Sequence, residues 1–186
     1  MNVCIVTGIF PPDHGGPASY VPNIAQKITD TGSVSCVVTL SDDLNHNDKC
    51  YPYDVVRIPR GMNKVIRYAL CIYNIYKQSK KADVVYVNGL FLESVLAIRL
   101  LTRKCLVCKI VGDQVWEAAR NKGESKSGID DFQKSQLGIK WGFIRFSHRA
   151  TIRLFHKVIV PSKYLENIVL GWGVSKDKLP SSSTVV

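Results

Sequence analysis

The sequence predicts an α/β fold in which a mostly parallel sheet is covered by helices on both faces. Short apolar runs rich in Val and Ile alternate with segments of helical periodicity along nearly the whole chain. Parallel strands need helical crossovers between them, so this alternation is typical of such sheets. The 186 residues, of which 46% are hydrophobic and 22% charged, have the composition of an ordinary globular domain. No apolar run reaches the roughly 18 residues of a membrane-spanning helix.

Strands are predicted where apolar residues stand together, and helices where they recur every three or four positions. The predicted strands cover residues 1–7, 34–40, 54–58, 83–88, 105–111 and 157–160. The predicted helices cover residues 18–31, 62–80, 91–102, 135–156 and 162–171. We expect residues 1–175 to form one domain, and residues 176–186, which have linker composition, to form a tail.

The charge balance predicts an anionic partner. With 25 basic and 15 acidic residues the chain carries a net charge of +10. Such a charge suits nucleic acid, anionic lipid or a phosphorylated substrate. Nucleic acid is disfavoured, because the sequence has no zinc-finger spacing, no aromatic RNA-binding signature and no basic tail. The N-terminus lacks the basic start of a signal peptide and most of the six cysteines lie in apolar segments, so we expect a reduced, cytoplasmic protein.

A glycine pair follows the first predicted strand. Gly15 and Gly16 stand directly before a predicted helix, where bare backbone N–H groups and the helix dipole together favour an anion such as a phosphate. The spacing is neither that of the dinucleotide-binding G-x-G-x-x-G motif nor that of the Walker loop. A plain turn before a helix is the alternative interpretation, and the spacing leaves both open.

Two further polar positions follow predicted strands, Asn88 and the pair Gly112-Asp113. Ligands of parallel sheets bind at the carboxyl ends of the strands, so we expect these positions and residues 8–17 to converge on one cleft. Asp113 is the candidate catalytic residue, and a helix cap is its alternative role. Glu117 and Lys122 lie a little further along, and both are candidates for binding substrate.

Three arginines, Arg145, Arg149 and Arg153, recur every four residues in the predicted helix 135–156. This stripe suits contact with an anionic membrane surface, or simply a solvated face of a core helix. No metal site and no resident cofactor are expected. Cys105 and Cys108 have no second pair to complete a zinc site, and there is no Asp-x-Asp motif.

Three segments together resemble family 4 glycosyltransferases. They are the opening Ile5-Val6-Thr7-Gly8-Ile9-Phe10-Pro11-Pro12 with Gly15-Gly16-Pro17-Ala18-Ser19-Tyr20-Val21, then the stretch from Val111-Gly112-Asp113 to Ala119-Arg120, and finally Val158-Ile159-Val160-Pro161-Ser162-Lys163-Tyr164-Leu165. They occur in the family's order and cover most of the chain. The resemblance implies a Rossmann-like fold that is one half of a two-domain, GT-B type enzyme.

The resemblance also implies a function. Enzymes of this family transfer a hexosyl group from a nucleotide-sugar donor to an acceptor, with retention and generally without a metal, often in polysaccharide biosynthesis. Gly15 and Gly16 match the loop that approaches the donor phosphates. Asp113 falls beside the position where many members carry a histidine near the donor sugar, and Asn88, Gly112, Glu117 and Lys122 are the other expected binding residues. The donor-binding C-terminal domain is missing from this chain, so we expect the isolated chain to be inactive.

The acceptor is expected to be lipid-linked or otherwise anionic, because a basic cleft attracts such groups. Together with the cytoplasmic location, this allows peripheral contact at the inner membrane face. Two alternatives stay open at this point. One is a non-catalytic Rossmann-like module that binds a phosphorylated ligand or a partner. The other is a sugar-nucleotide epimerase of the same two-domain architecture.

Overall fold

The structure, a computed structural model, describes residues 1–33, 35–135 and 137–180, apart from the side chain of Ser35. The chain divides into two compact units, Met1–Cys108 (the first unit) and Lys109–Val186 (the second unit). The domain expected over residues 1–175 spans both units, and its boundary stays a prediction. Nowhere in the described ranges is a helix long and apolar enough to cross a membrane.

The first unit is built on a parallel sheet, as predicted. Its strands are β1 (Val3–Thr7), β2 (Ser35–Ser41), β3 (Asp54–Pro59), β4 (Val84–Asn88) and β5 (Cys105–Lys109). They lie in the order β3-β2-β1-β4-β5, and each neighbouring pair is parallel. Val34, where the second strand was predicted to begin, lies outside the described residues. The order reverses direction at β1, and ligands of open α/β sheets bind at such a switch point.

Helices cover both faces of this sheet. They are α1 (Gly16–Asp30), α2 (Lys64–Ser79) and α3 (Phe91–Leu101). On one face, Val21 and Ala25 of α1 pack with Val3 and Ile5 of β1 in a fully buried cluster. Successive side chains of a strand point to opposite faces, so Val6 points away from α1. It is buried as well, beneath α2 and α3, which contact the strands and each other. The Rossmann-like fold class is thereby confirmed.

The second unit holds four helices and one short strand among its described residues. They are α4 (Gln114–Asn121), α5 (Ile129–Lys134), α6 (Ile139–Arg153), β6 (Lys157–Ile159) and α7 (Lys163–Gly171). The backbone N–H of Ile110 donates to the carbonyl of Ile159 at 2.9 Å, so β6 continues backbone pairing beside the segment that follows β5. Ser162 caps α7 as predicted, because its hydroxyl accepts from the N–H of Leu165.

The helix predicted over residues 135–156 is present as α6, but it is shorter at both ends, and α5 before it was not predicted. Helix α5 ends at Lys134 and α6 begins only at Ile139, with Ser135 in extended backbone and Gly138 at the N-cap of α6. The guanidinium of Arg145 donates to the carbonyls of Phe132 and Ser135, which stabilises the break. Glycine is a poor helix former, so Gly138 favours the interruption.

The predicted tail begins with structure of its own. Lys176–Lys178 form one turn of 3₁₀ helix, and Leu179 after it is buried. Residues 181–186 lie outside the described residues, so the linker character predicted for them stays a prediction.

Candidate functional site

A row of polar side chains crosses the sheet of the first unit where its strands end. The register places Thr7 of β1 between Thr39 of β2 and Asn88 of β4, and Thr39 opposite Arg57 of β3. All four side chains are buried, although the strands are largely apolar up to this position. Buried polar groups need partners, and Thr7 Oγ1 donates to the carbonyl of Ile9 at 2.9 Å. Asn88, a predicted binding residue, therefore lies at the carboxyl edge of the sheet, as expected.

Arg57 fastens the loop of residues 8–17 to this edge. Its guanidinium forms two bonds to the carboxylate of Asp48, at 2.8 and 2.7 Å, and also donates to the carbonyl of Pro11 at 2.7 Å. A further bond, at 3.2 Å, reaches Ser41 Oγ. The hydrogen bond to Asp48 raises the pKa of Arg57, so the cation is stable. Sequence reasoning missed this residue, although one arginine inside the apolar run Val55-Val56-Arg57-Ile58 was an available signal.

Arg60 also holds the loop of residues 8–17 in place. Its guanidinium pairs with the carboxylates of Asp13 and Asp42 and contacts the carbonyl of Leu40 at 3.3 Å. Asp13 belongs to the loop and Asp42 follows β2, so one cation bridges two segments. The hydrogen bond to Asp13 raises the pKa of Arg60. The loop is thus held by Arg57 and Arg60 while its glycines stay exposed.

The glycine pair leaves the N-terminus of α1 open. Gly15 has a φ of 143°, and a Cβ there would lie 2.8 Å from Ile9 Cδ1, so only glycine fits without strain. A Cβ on Gly16 would meet no atom within 4 Å. No side chain caps α1, and its first turn has no acidic residue. Its first N–H groups and the positive end of the dipole can therefore receive an anion.

The loop after β4 touches the loop after β1. A Cβ on Gly89 would lie 2.7 Å from the backbone nitrogen of Gly8, so the two backbones are in direct contact. The next residue, Leu90, has left-handed backbone geometry with a φ of 54° and is the N-cap of α3. Ser94 Oγ donates to its carbonyl at 2.8 Å. Residues 8–17 and Asn88-Gly89 thus converge, as predicted.

Asp113, in the second unit, is a helix cap. Its side chain is 1% exposed, and Oδ1 accepts from the backbone N–H groups of Val115 and Trp116 at 2.8 and 3.1 Å. Oδ2 accepts from Nε2 of Gln133 at 2.7 Å. The capping alternative is confirmed, and both oxygens are occupied by the protein's own donors. These contacts describe a positioning residue, and the catalytic role stays a prediction.

Gln133 joins Asp113 to the rest of the second unit. Its Oε1 accepts from Arg149 Nη2 at 2.7 Å and from the indole N–H of Trp172 at 2.9 Å. The ring of His148 packs edge-on against Trp172, and burial lowers the pKa of His148, which disfavours its protonated form. Sequence reasoning missed Gln133, because these contacts join residues far apart along the chain.

Glu117 is an exposed carboxylate in the first turn of α4. A Cβ on Gly112 would lie 2.5 Å from Glu117 Oε1, so this carboxylate lies directly over the Gly112 backbone. Partial burial, and then the charge of Asp113, raise the pKa of Glu117. A carboxylate with a raised pKa is a stronger proton acceptor, which is suitable for binding and polarising a hydroxyl. Among the predicted residues of the second unit, Glu117 is the better placed for chemistry.

Lys122 lies at the other end of the same helix. Helix α4 has eight residues, about 12 Å at 1.5 Å per residue, and Lys122 is its C-cap. Its Nζ lies 5.8 Å from the ring centroid of Trp141. The length of α4 thus lies between Lys122 and the Gly112-Asp113 turn, and the role of Lys122 in binding substrate stays a prediction.

The basic stripe of α6 is partly engaged inside the second unit. Arg145 donates to backbone carbonyls and Arg149 to Gln133, and both side chains are only partly exposed. Arg153 is exposed. The helix also exposes three large apolar residues: Ile139 at 96%, Phe143 at 71% and Phe146 at 64%.

Two predictions about the site as a whole, a single cleft and the absence of a metal, remain predictions. The single cleft was expected to join Gly15 and Gly16 of the first unit with Gly112 and Asp113 of the second, and it stays a prediction. Among the described residues, no group of three or more His, Cys, Asp or Glu is arranged to hold a metal ion.

Comparison with solved structures supports a glycosyltransferase-like fold of GT-B type. Sucrose-phosphate synthase of Thermosynechococcus elongatus matches with a TM-score of 0.66 and 16% identity, over 96% of this chain and 47% of its own. HepE of Anabaena, solved with UDP, matches with a TM-score of 0.64 and 14% identity, over 97% of this chain and 43% of its own. A Listeria monocytogenes protein assigned as a UDP-N-acetylglucosamine 2-epimerase matches with a TM-score of 0.61 and 14% identity. The match covers 96% of this chain and 43% of the Listeria protein.

The chain spans less than half the length of each of these proteins. At such identities the likeness shows the fold. No family model matches the sequence, and no curated protein does.

Proposed function

We propose that this chain is the N-terminal domain of a family 4 glycosyltransferase that transfers a hexosyl group from a nucleotide-sugar donor to an acceptor. The observation that carries the proposal is the open N-terminus of α1 at Gly15 and Gly16, held at the carboxyl edge of the sheet by Arg57 and Arg60. The fold of the matched transferases agrees with it. Because HepE is solved with UDP, the proposed donor is a uridine diphosphate sugar.

The proposed reaction breaks the bond between the anomeric carbon and the diphosphate oxygen and forms a bond to the oxygen of an acceptor hydroxyl, whose proton passes to the departing diphosphate. It proceeds with retention and without a metal. The departing diphosphate carries the developing negative charge, and an open helix N-terminus stabilises such a charge without reorganisation. In the second unit, Glu117 is the residue we assign to hydrogen-bond an acceptor hydroxyl, because it is exposed and its pKa is raised.

The test uses the protein at its natural length, purified from its source, with a panel of radiolabelled nucleotide sugars and a lipid extract as acceptor. We expect transfer in the wild type and a loss of at least about 100-fold in Gly16→Trp, because the indole fills the space an anion would use. Gly138→Trp is the matched control. Gly138 also lies at an uncapped helix start, with open space around its Cβ position.

Equal activity in Gly16→Trp and Gly138→Trp would refute the assignment of the glycine loop. No transfer from any nucleotide sugar by the wild type would refute the function itself. The 186-residue chain alone is expected to show no transfer, because the parent enzymes close two domains around the donor. Turnover by this chain would contradict that expectation.

An epimerase is the second candidate, favoured by the match to the Listeria protein. The same radiolabelled assay separates the two. A transferase moves label into the acceptor, whereas an epimerase leaves the acceptor unlabelled and releases a sugar of altered configuration.

We also propose that the enzyme contacts an anionic membrane surface through α6. Ile139, Phe143 and Phe146 are spaced i, i+4 and i+7, so they share one face of the helix. The helix carries four basic residues and no acidic one, which suits anionic headgroups. The apolar face replaces the arginine stripe as the main contact, because Arg145 and Arg149 are engaged by the protein.

Flotation with vesicles of phosphatidylglycerol, against vesicles of phosphatidylcholine, tests this contact. Phe143→Ser/Phe146→Ser should weaken binding to the anionic vesicles about tenfold or more, since each ring contributes about 1 kcal/mol on partial insertion. Tyr73→Ser is the control, because Tyr73 is an exposed aromatic on α2 in the other unit. Unchanged binding of the double variant, or equal affinity for both lipids, would overturn the proposal.

A further inference from the structure

Two cysteines face each other at the amino edge of the first unit's sheet. The register pairs Cys4 of β1 with Cys36 of β2. Neighbouring strands lie about 4.8 Å apart. This separation is inside the range of roughly 4.4 to 6.8 Å between the Cα atoms of disulfides. Paired residues of adjacent strands point to the same face, so the two thiols lie side by side.

The two thiols differ in access. Cys4 is completely buried, whereas Cys36 is partly exposed. Cys36 lines a cavity of about 160 Å³ together with Asp54, Gln78 and Lys81. A small molecule can therefore reach Cys36 through this cavity, and it meets Cys36 before Cys4.

The two thiols also differ in acidity. A hydrogen bond from the Cys4 thiol lowers the pKa of Cys36, as does the charge of Lys81, while burial and Asp54 act in the other direction. The same hydrogen bond and full burial raise the pKa of Cys4 well above its ordinary value. Of the two thiols, Cys36 is therefore the one that loses its proton more readily. Thiolates are the reactive form of cysteine.

The other cysteines lack this arrangement. Burial raises the pKa of Cys71 to about 11 and also raises the pKa of Cys108. Cys50 and Cys105 are exposed; Cys105 lies opposite Val84 of β4, and Cys50 lies in a 3₁₀ turn outside the sheet.

We propose that Cys36 and Cys4 form a modification site for small hydroperoxides, in which Cys36 is the nucleophile and Cys4 the resolving cysteine. The Cys36 thiolate attacks one peroxide oxygen, the O–O bond breaks, and hydroxide leaves and takes a proton from solvent. Cys36 is then a sulfenic acid. The Cys4 sulfur attacks it, its proton joins the departing hydroxyl as water, and a disulfide forms. Each sulfur loses one electron and the peroxide gains two.

The experiment treats the reduced 186-residue chain with a small excess of hydrogen peroxide and blocks the remaining thiols with an alkylating agent. Trypsin cuts after Lys27 and Lys49, so the expected product is residues 1–27 joined to residues 28–49. The link should form at least about tenfold faster than oxidation of Cys71 and should disappear on reduction. This measurement needs no substitution, so it does not depend on the stability of a variant.

Variants assign the roles. Cys4→Ser should leave a sulfenic acid on Cys36 that dimedone traps, and Cys36→Ser should leave Cys4 available for alkylation only after unfolding. Cys50→Ser/Cys105→Ser is the control, and it should still form the link at the wild-type rate. Oxidation of Cys50 or Cys105 with Cys36 still alkylatable would overturn the proposal, as would dimedone labelling of Cys4 before Cys36.

Discussion

Removing Arg57 should destabilise the first unit and loosen the glycine loop together. Its side chain is 4% exposed and that of its partner Asp48 is 21% exposed. Removing one member of a buried pair costs about 3–5 kcal/mol, whereas surface pairs contribute less than about 1 kcal/mol. Asp48 keeps some solvent, so we expect Arg57→Ala to lower the free energy of unfolding by about 3 kcal/mol. For a chain of this length, that lowers Tm by about 9 °C.

A double-mutant cycle, measured by urea unfolding, isolates the interaction energy between Arg57 and Asp48. Arg57→Ala/Asp48→Ala should cost less than the two single changes added, by about 1–2 kcal/mol. Lys64→Ala, an exposed basic residue at the start of α2, is the control and should change the free energy by less than about 0.5 kcal/mol. Hydrogen exchange at the amide of Asp13, which bonds to the carbonyl of Phe10 at 3.0 Å, reports on the loop. It should accelerate in Arg57→Ala.

Two outcomes would refute this reasoning about Arg57. The first is a coupling energy below about 0.5 kcal/mol, which would mean that the pair does not act as a unit. The second is unchanged exchange at Asp13, which would mean that the bond to the Pro11 carbonyl does not hold the loop.

Three other predictions, on Asp113, on two glycines and on Glu93, can be tested by thermal unfolding. Asp113→Ala should lower the free energy of unfolding by about 2 kcal/mol and Asp113→Asn by about half as much, since Asn still caps; equal losses would argue against capping. Gly89→Ala should lower the free energy of unfolding by more than about 2 kcal/mol, because Gly89 has a φ of 138° and its Cβ would collide with the Gly8 backbone. Gly16→Ala should be nearly neutral, because a Cβ there meets no atom within 4 Å. A larger loss for Gly16→Ala than for Gly89→Ala would contradict the geometry at both glycines. Burial raises the pKa of Glu93, so the folded state favours the protonated carboxyl. The contribution of Glu93 to the free energy of unfolding is therefore complete below the ordinary pKa of Glu, and it is lost as the pH rises through the raised pKa. The Tm advantage of Glu93→Gln over wild type should therefore grow between pH 4 and pH 7, and a constant difference would contradict it.

The strands and most helices of the fold could be predicted because their signals are local. The Val- and Ile-rich run of β4 (Val84–Asn88) and the periodicity of α2 (Lys64–Ser79) each occupy one continuous segment. Helix α5 and the exact start of α6 at Ile139 were not predicted, and Arg145 stabilises the break between them by reaching back to carbonyls ten and thirteen residues earlier. Such a contact leaves no periodic signature in the sequence.

The candidate site was predicted in part for the same reason. The positions of Gly15 and Gly16 could be predicted because they come directly before a predicted helix, and that of Asn88 because it ends a predicted strand, and strand ends of a parallel sheet meet at one edge. Arg57 and Gln133 were missed, because their importance lies in partners distant in sequence, such as Pro11 for Arg57 and Asp113 for Gln133. The role of Asp113 was ambiguous because one residue type serves both capping and catalysis.

The polar row at Thr7, Thr39, Arg57 and Asn88 has one more consequence, for folding fidelity. Each strand contributes a single residue to it, at one register position. If β3 slipped by one residue against β2, Arg57 would be withdrawn from the Pro11 carbonyl, and the apolar side chains of β3 would turn to the wrong face in the same movement. Misaligned chains would then lose the attachment of the loop and the packing of the core simultaneously. Every chain that folds with an intact core should therefore also hold the loop of residues 8–17 in its place.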